Sequence, residues 1–236
     1  MPSPQLIIDL VSANHILAEQ GVVDGFGHIS VRSDENKERY FLARNMAPAS
    51  VQAGDILEYD LDSKPLNDGG RRSYLERFIH GEVYRLRPDV MSVVHSHSPA
   101  VIPFGVSRVP LQAVYHMAGF LRDIKKYDIR TASGQMTDLL IKNHDLGISL
   151  AATLGASPVV LMRGHGVTVV GDSIKAAVVR SVYTEMNARI QIQAISLGGP
   201  VEYLSPEEAE QTEKSIVGQY DRAWDLWVRQ AGEKRR

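Results

Sequence analysis

The stretch Ser92-Val93-Val94-His95-Ser96-His97-Ser98-Pro99-Ala100 closes an apolar run that begins at Val90. The length and β-branched content of that run predict a buried strand. Side chains alternate faces along a strand, so His95 and His97 share one face. Two imidazoles on one rigid element are what a divalent metal requires. The competing reading is a pair of hydrogen-bonded histidines in a turn, and the rest of the chain has to separate the two.

N-terminal to this strand, residues 73–87 read as a helix closed by Pro88, with capping-box spacing between Ser73 and Glu76. Further back, 39–43 and 55–61 read as strands, and Gly25-Phe26-Gly27-His28-Ile29-Ser30-Val31-Arg32 as a glycine-rich turn entering a third. Residues 4–20 carry apolar side chains at helical spacing, and Gly21 is placed to end that helix. C-terminal to the histidines come a small-residue and proline stretch over 98–106 and an apolar segment over 109–114. A mostly helical region follows over 131–154, with Leu139, Leu140, Ile148 and Leu150 as candidate core positions.

A strand over 158–162 is interrupted by Arg163-Gly164-His165-Gly166 and resumes over 167–170. The flanking glycines permit a tight reversal with an imidazole at its tip. Asp172 is placed to cap a long helix reaching about residue 197, Gly198-Gly199-Pro200 breaks it, and Ser205-Pro206-Glu207-Glu208 starts a last amphipathic helix. No repeat or long linker divides the chain. Strands in runs with helices before, between and after them predict one α/β domain over 1–236, layered around a mixed sheet.

Composition narrows the function classes. The 236 residues are 44% hydrophobic and 23% charged, as expected of a soluble globular protein, and the net charge of −2 gives no case for nucleic acid or anionic membrane as partner. No apolar run reaches membrane-spanning length, and the N-terminal residues lack the pattern of a signal peptide, so a cytoplasmic setting is expected. There is no cysteine, which removes disulfides, thiolate metal sites and cysteine nucleophiles.

Of the eight histidines, His15 and His144 read as ordinary helix residues, and His80, one turn after Glu76, as a packing or supporting residue. His165 would complete a three-imidazole set with His95 and His97, leaving positions open for substrate. Zn²⁺, Mn²⁺, Fe²⁺ and Co²⁺ all suit such a set, with Mn²⁺ or Zn²⁺ expected first. Glu76 reads either as a helix cap or as a site carboxylate.

In this order the glycine-rich turn with its Ser-Val-Arg strand (27–32), Glu76, His95-x-His97, and Arg163-Gly164-His165-Gly166 followed by Gly171-Asp172-Ser173 resemble the class II aldolase/adducin family along nearly the whole chain. The resemblance implies a three-layer α/β/α fold and a homotetramer with active sites between subunits. It also implies a metal on His95, His97 and His165, with Glu76 as a further ligand or an acid–base residue. Sugar-phosphate members cradle phosphate with Gly-Asn-Val/Ile-Ser, Thr-Pro-Ser/Thr-Gly and Ser-Ser segments. Here these places hold Gly27-His28-Ile29-Ser30, the run from Leu42 through Arg44 to Pro48, and Ser73-Tyr74-Leu75-Glu76. The tyrosine that such members use as proton donor falls at Tyr115-His116.

The altered set resembles the decarboxylase branch. It implies non-oxidative loss of carbon dioxide from a hydroxylated aromatic or pyridine carboxylate, of the 3-hydroxy-2-methylpyridine-4,5-dicarboxylate or dihydroxyphthalate type, as in the catabolism of aromatic compounds or vitamin B6. In that role Glu76, His28, His116 or Tyr115 would move the proton, and Arg44, Ser73 and Tyr74 would bind substrate. The alternatives are a sugar-phosphate aldolase or epimerase, an iron-dependent oxygenase, and a non-catalytic interaction module like the adducin head.

Overall fold

Alternation along β1 (His28–Arg32) divides the molecule into layers. His28, Ser30 and Arg32 point to one face and meet α2 (Arg77–Leu86), while Ile29 and Val31 are buried on the other. The computed structural model describes residues 2–233. With β2 (Arg39–Ala43), β3 (Ile56–Asp60), β4 (Ser92–Ser96), β5 (Lys125–Tyr127), β6 (Val159–Met162) and β7 (Gly166–Gly171), β1 forms a mixed sheet in the order β3-β2-β1-β4-β7-β6-β5. Every neighbouring pair is antiparallel except β5 with β6.

The remaining helices are α1 (Pro4–Glu19), α3 (Ile102–Val106), α4 (Arg130–Ser133), α5 (His144–Leu154), α6 (Ile174–Ser196), α7 (Pro206–Val217) and α8 (Tyr220–Glu233). Helices α2 and α5 pack on each other over one face, and α1, α6 and α8 pack together over the opposite one. This is the three-layer α/β/α arrangement with a mixed central sheet that the sequence led us to expect.

Arg32 fastens α2 to the sheet. Its guanidinium is buried and donates to the carbonyls of Tyr84 (2.7 Å), Arg87 (3.0 Å), Val90 (2.9 Å) and Lys37 (2.6 Å), and it lies 4.7 Å from the centre of the Tyr84 ring. Two of these acceptors belong to the last turn of α2, where a cation complements the negative end of the helix.

Three local expectations need correction. Helix α2 starts at Arg77 rather than at 73, because the Ser73–Glu76 box does not form: Ser73 Oγ accepts from Tyr59 Oη (2.9 Å) and the Glu76 carboxylate turns elsewhere. The helix expected over 131–154 is two helices, α4 and α5, separated by irregular chain in which Leu139 takes φ +68. Of its candidate core residues Leu150 is buried, Leu139 and Leu140 are half-buried and Ile148 is exposed. Helix α6 is capped by Ser173, whose Oγ accepts the Ala176 N–H (3.1 Å), and not by Asp172. The apolar segment over 109–114 has no regular secondary structure. Its backbone is held by buried amides of α6: Asn187 binds Val114 N–H and Gln112 C=O, and Gln191 binds Gln112 N–H and Pro110 C=O. The capping box expected at Ser205 and Glu208 is present at the start of α7.

The two glycines around His165 do different jobs. Gly164, at φ +66, makes the turn between β6 and β7. Gly166 has ordinary backbone angles but no room: a Cβ there would sit 2.1 Å from the Ser96 carbonyl oxygen and 3.3 Å from His97 Cα. We therefore expect Gly166→Ala to push β7 off the end of β4 and to destabilise the fold by about 3 kcal/mol or more. Gly54→Ala, where a Cβ meets nothing within 4 Å, should stay within about 0.5 kcal/mol of the parent. Urea unfolding of the two variants decides this; equal stabilities would rule out the close approach.

Candidate metal centre

Three pieces of backbone bring the candidate ligands together. His95 lies in β4, directly opposite His28 of β1 on one side and Thr168 of β7 on the other. His97 follows just beyond the strand end, and His165 is the last turn residue before β7. Glu76 is the N-cap residue of α2, and its side chain makes no cap hydrogen bond. Its Oε1 instead accepts the Ile141 N–H (2.9 Å) from the irregular segment before α5.

One ligand atom from each of Glu76, His95, His97 and His165 lies within 4.8 Å of all the others. His97 Nε2 is 3.3 Å from His95 Nε2 and 3.1 Å from His165 Nε2. Glu76 Oε2 is 3.5 Å from His95 Nε2 and 3.4 Å from His165 Nε2. A cation held at about 2.0–2.2 Å spaces neighbouring donor atoms roughly 3 to 3.5 Å apart, so these contacts have ligand spacing.

The protonation pattern agrees. His95 Nδ1 donates to the Val167 carbonyl (3.2 Å), which leaves a bare lone pair on Nε2 at the centre of the group. Burial, followed by the neighbouring imidazoles of His95 and His165, pushes the His97 imidazole down to about 4, so it is neutral near pH 7. The Ile141 N–H donated to Glu76 Oε1 favours the ionised form of that carboxyl. Neutral imidazoles and an ionised carboxylate are the forms that bind metal. Lone pairs facing one another at these distances repel unless a proton or a cation lies between them. The residues therefore fit a divalent metal.

Beside the quartet stands a wall of rings. His28 is 4.6 Å from Tyr74 and 5.2 Å from His95, centre to centre, and the exposed Phe26 ring lies 6.4 Å from His97. Tyr74 donates its hydroxyl to the Met46 carbonyl, which leaves its ring face as what it offers His28. His80, buried beneath, bonds to His28 Nδ1 through Nε2 (2.6 Å).

Among the described residues, no hydrogen bond, ion pair or ring contact joins the other candidate residues to the quartet. Arg44 Nε is paired with Asp55 (2.7 Å), and among the described residues its two terminal nitrogens have no hydrogen-bond partner. Ser73 is occupied by Tyr59. Among the described residues no hydrogen bond, ion pair or ring contact joins Tyr115 or His116 to the quartet. His116 is exposed at the start of a short turn (His116–Ala118), while the Tyr115 hydroxyl is buried without a partner, its ring 6.4 Å from that of Tyr183. Ile141, Ser30 and Tyr84 were not singled out from the sequence. They act through a backbone N–H or through partners some fifty residues away, and no local pattern marks such roles.

Comparison with known proteins places this geometry in context. Residues 8–192 match the family profile described as Class II Aldolase and Adducin N-terminal domain. The chain is 37% identical to the decarboxylase tropJ of Talaromyces stipitatus, over 98% of this chain and 95% of that protein. It is 32% identical to a 3,4-dihydroxyphthalate decarboxylase of Arthrobacter keyseri, over 81% of this chain and 79% of that one. Among solved structures, L-fuculose 1-phosphate aldolase from Glaciozyma antarctica superposes with a TM-score of 0.78 at 22% identity, over 97% of this chain and 90% of the other.

Two measurements test the site. His95→Ala should abolish stoichiometric binding of Mn²⁺ or Zn²⁺ by the purified protein, as read by metal analysis after dialysis; full metal content would remove His95 from the ligand set. In the metal-free protein, burial first and then the nearby His95 push the His80 imidazole down to about 3, against 6.5 for an ordinary histidine. The unfolded chain therefore takes up the proton first, and stability is full above pH 6.5 and lost as pH falls toward 3. Between pH 6.5 and 5 this one group should cost about 2 kcal/mol. His80→Gln should show a correspondingly shallower fall in urea midpoint, and an unchanged slope would contradict a neutral buried His80.

Proposed function

The chain belongs to the class II aldolase and adducin family, and from that premise we propose that it is a metal-dependent, non-oxidative decarboxylase of a hydroxylated aromatic or pyridine (di)carboxylate. The observation that carries this reading is the likeness to named decarboxylases along the chain, 37% over 98% of it in one case. The ring wall of His28 and Tyr74 beside the quartet supports it, because planar substrates stack on such faces. The dihydroxyphthalate decarboxylase relative favours a phthalate-type acid among the candidate substrates.

His95, His97, His165 and Glu76 would hold the cation, Mn²⁺ or Zn²⁺ ahead of Fe²⁺ or Co²⁺. When bound, such a cation supplies Lewis-acid stabilisation to an oxygen that gains negative charge as the carbon–carbon bond breaks. The remaining work belongs to the protein. Tyr74 backs the His28 ring, and the two together orient the planar ring from one side. Arg44 keeps its two terminal nitrogens for a second carboxylate, since Asp55 occupies only Nε.

The ring carbon that loses carbon dioxide must gain a proton, and His28 and Glu76 are the groups of this chain near enough to manage one. Tyr115 and His116 make no hydrogen bond or ring contact with their own quartet among the described residues. In a homotetramer with sites between subunits they would serve the quartet of a neighbouring copy.

The reading is tested by carbon dioxide release. The Mn²⁺- or Zn²⁺-loaded protein should decarboxylate 3,4-dihydroxyphthalate or 3-hydroxy-2-methylpyridine-4,5-dicarboxylate; silence on both, with cleavage or epimerisation of a sugar phosphate, would overturn it. Arg44→Ala should raise KM for the dicarboxylate by about 10- to 100-fold, the cost of one charge-assisted contact. A monocarboxylate analogue should change far less, and equal effects would remove Arg44 from substrate binding.

A further inference from the structure

A buried chain of side chains runs from the site into the layer between β1 and α2. His28 and Ser30, two apart on the strand, share a face, and His80 and Tyr84, four apart on the helix, share a stripe. Zipped together they give three short contacts: His28 Nδ1 to His80 Nε2 (2.6 Å), His80 Nδ1 to Ser30 Oγ (2.6 Å), and Ser30 Oγ to Tyr84 Oη (2.7 Å). Ser30, His80 and Tyr84 are at most 1% exposed, so none can turn to water.

Such a chain can be written in two directions, and burial distinguishes them. If Ser30 donated to Tyr84, the Tyr84 hydroxyl would have no acceptor, since Ser30 Oγ is its only side-chain partner among the described residues. Burial pushes the phenol up, so it keeps its proton. An orphaned buried donor costs its full desolvation energy. In the other direction every donor finds an acceptor: Tyr84 donates to Ser30, Ser30 to His80 Nδ1, and His80 Nε2–H to His28 Nδ1. The only ring nitrogen of His28 left to carry its proton is then Nε2, which makes no hydrogen bond among the described residues.

We propose that Tyr84, Ser30 and His80 are positioning residues that fix His28 as its Nε2–H tautomer, so that His28 serves the site as a hydrogen-bond donor to an anionic oxygen of the substrate and not as a general base. The proposal rests on the decarboxylase reading for the identity of that oxygen, an oxygen of the aromatic acid. The tautomer assignment itself does not. It follows from counting donors and acceptors in a dry layer, and it gives His28 and Glu76 opposite roles, one offering a proton and the other only accepting.

The test is ¹⁵N-edited NMR on the zinc-loaded protein carrying ¹⁵N-labelled histidine, which reads the protonated nitrogen of each ring directly. His28 and His80 should both carry their proton on Nε2; a proton on His28 Nδ1 would overturn the proposal. Ser30→Ala cuts the chain while leaving Tyr84 and both imidazoles in place, and the Nδ1–H form of His28 should then become populated. A single unchanged tautomer in Ser30→Ala would mean that the chain does not set it. Turnover plays no part in either readout, so failure of the tautomer assignment and failure of the decarboxylase assay are separate outcomes.

Discussion

Three imidazole nitrogens and a carboxylate oxygen, with contacts of 3.1–3.5 Å among them, present lone pairs to one another. Nothing in the attraction between those groups holds them there, so the scaffold must, and much of the local structure follows from that requirement. Val167 C=O fixes the orientation of His95, and Ile141 N–H takes one oxygen of Glu76. The missing Cβ at Gly166 lets the turn carrying His165 close against Ser96 and His97. Each restraint comes from backbone or from absent atoms, which do not compete for the lone pairs a cation needs.

The same requirement explains the two ends of α2. At the C-terminal end a buried guanidinium, Arg32, meets the carbonyls of Tyr84 and Arg87 and ties the helix to β1. At the N-terminal end the usual side-chain cap is missing, because Glu76 is turned into the site. A helix fastened at its far end and packed on α5 can leave its first turn uncapped at a cost of about 1 kcal/mol. The Ser73–Glu76 pair looks like a capping box in sequence for this reason: the same two residue types suit both jobs, and only the position of Ile141 decides between them.

That example marks how far the sequence could be read. The strands that carry the quartet, the shared face of His95 and His97, and the reversal at His165 follow from period-two alternation and flanking glycines, which are local. What was misread depends on distant partners. Leu139 and Leu140 read as helix positions, but Leu139 takes a left-handed backbone and the Ile141 N–H is committed to Glu76. Strand β5 is only Lys125–Tyr127, too short and too polar at its start to show a pattern. The apolar segment over 109–114 carries no local sign of its partners, because its backbone bonds to side-chain amides of α6 some seventy-five residues on.

Cleavage of a sugar phosphate and loss of carbon dioxide from an aromatic acid both leave an electron pair on carbon that an adjacent oxygen must accept. A metal centre built from Glu76, His95, His97 and His165 meets that need equally for either reaction, so it says little about which one is run. Discrimination falls to the groups around it. A phosphate site is built from backbone N–H groups and small residues that let an anion approach. Around this quartet the chain instead places the His28 and Tyr74 rings, with the Tyr74 hydroxyl turned back onto Met46. Side chains of this bulk, packed on each other beside the quartet, stand where such a cradle would need small residues. The quartet is thus what the two kinds of site would have in common, and the rings packed beside it are where this chain departs from a phosphate cradle.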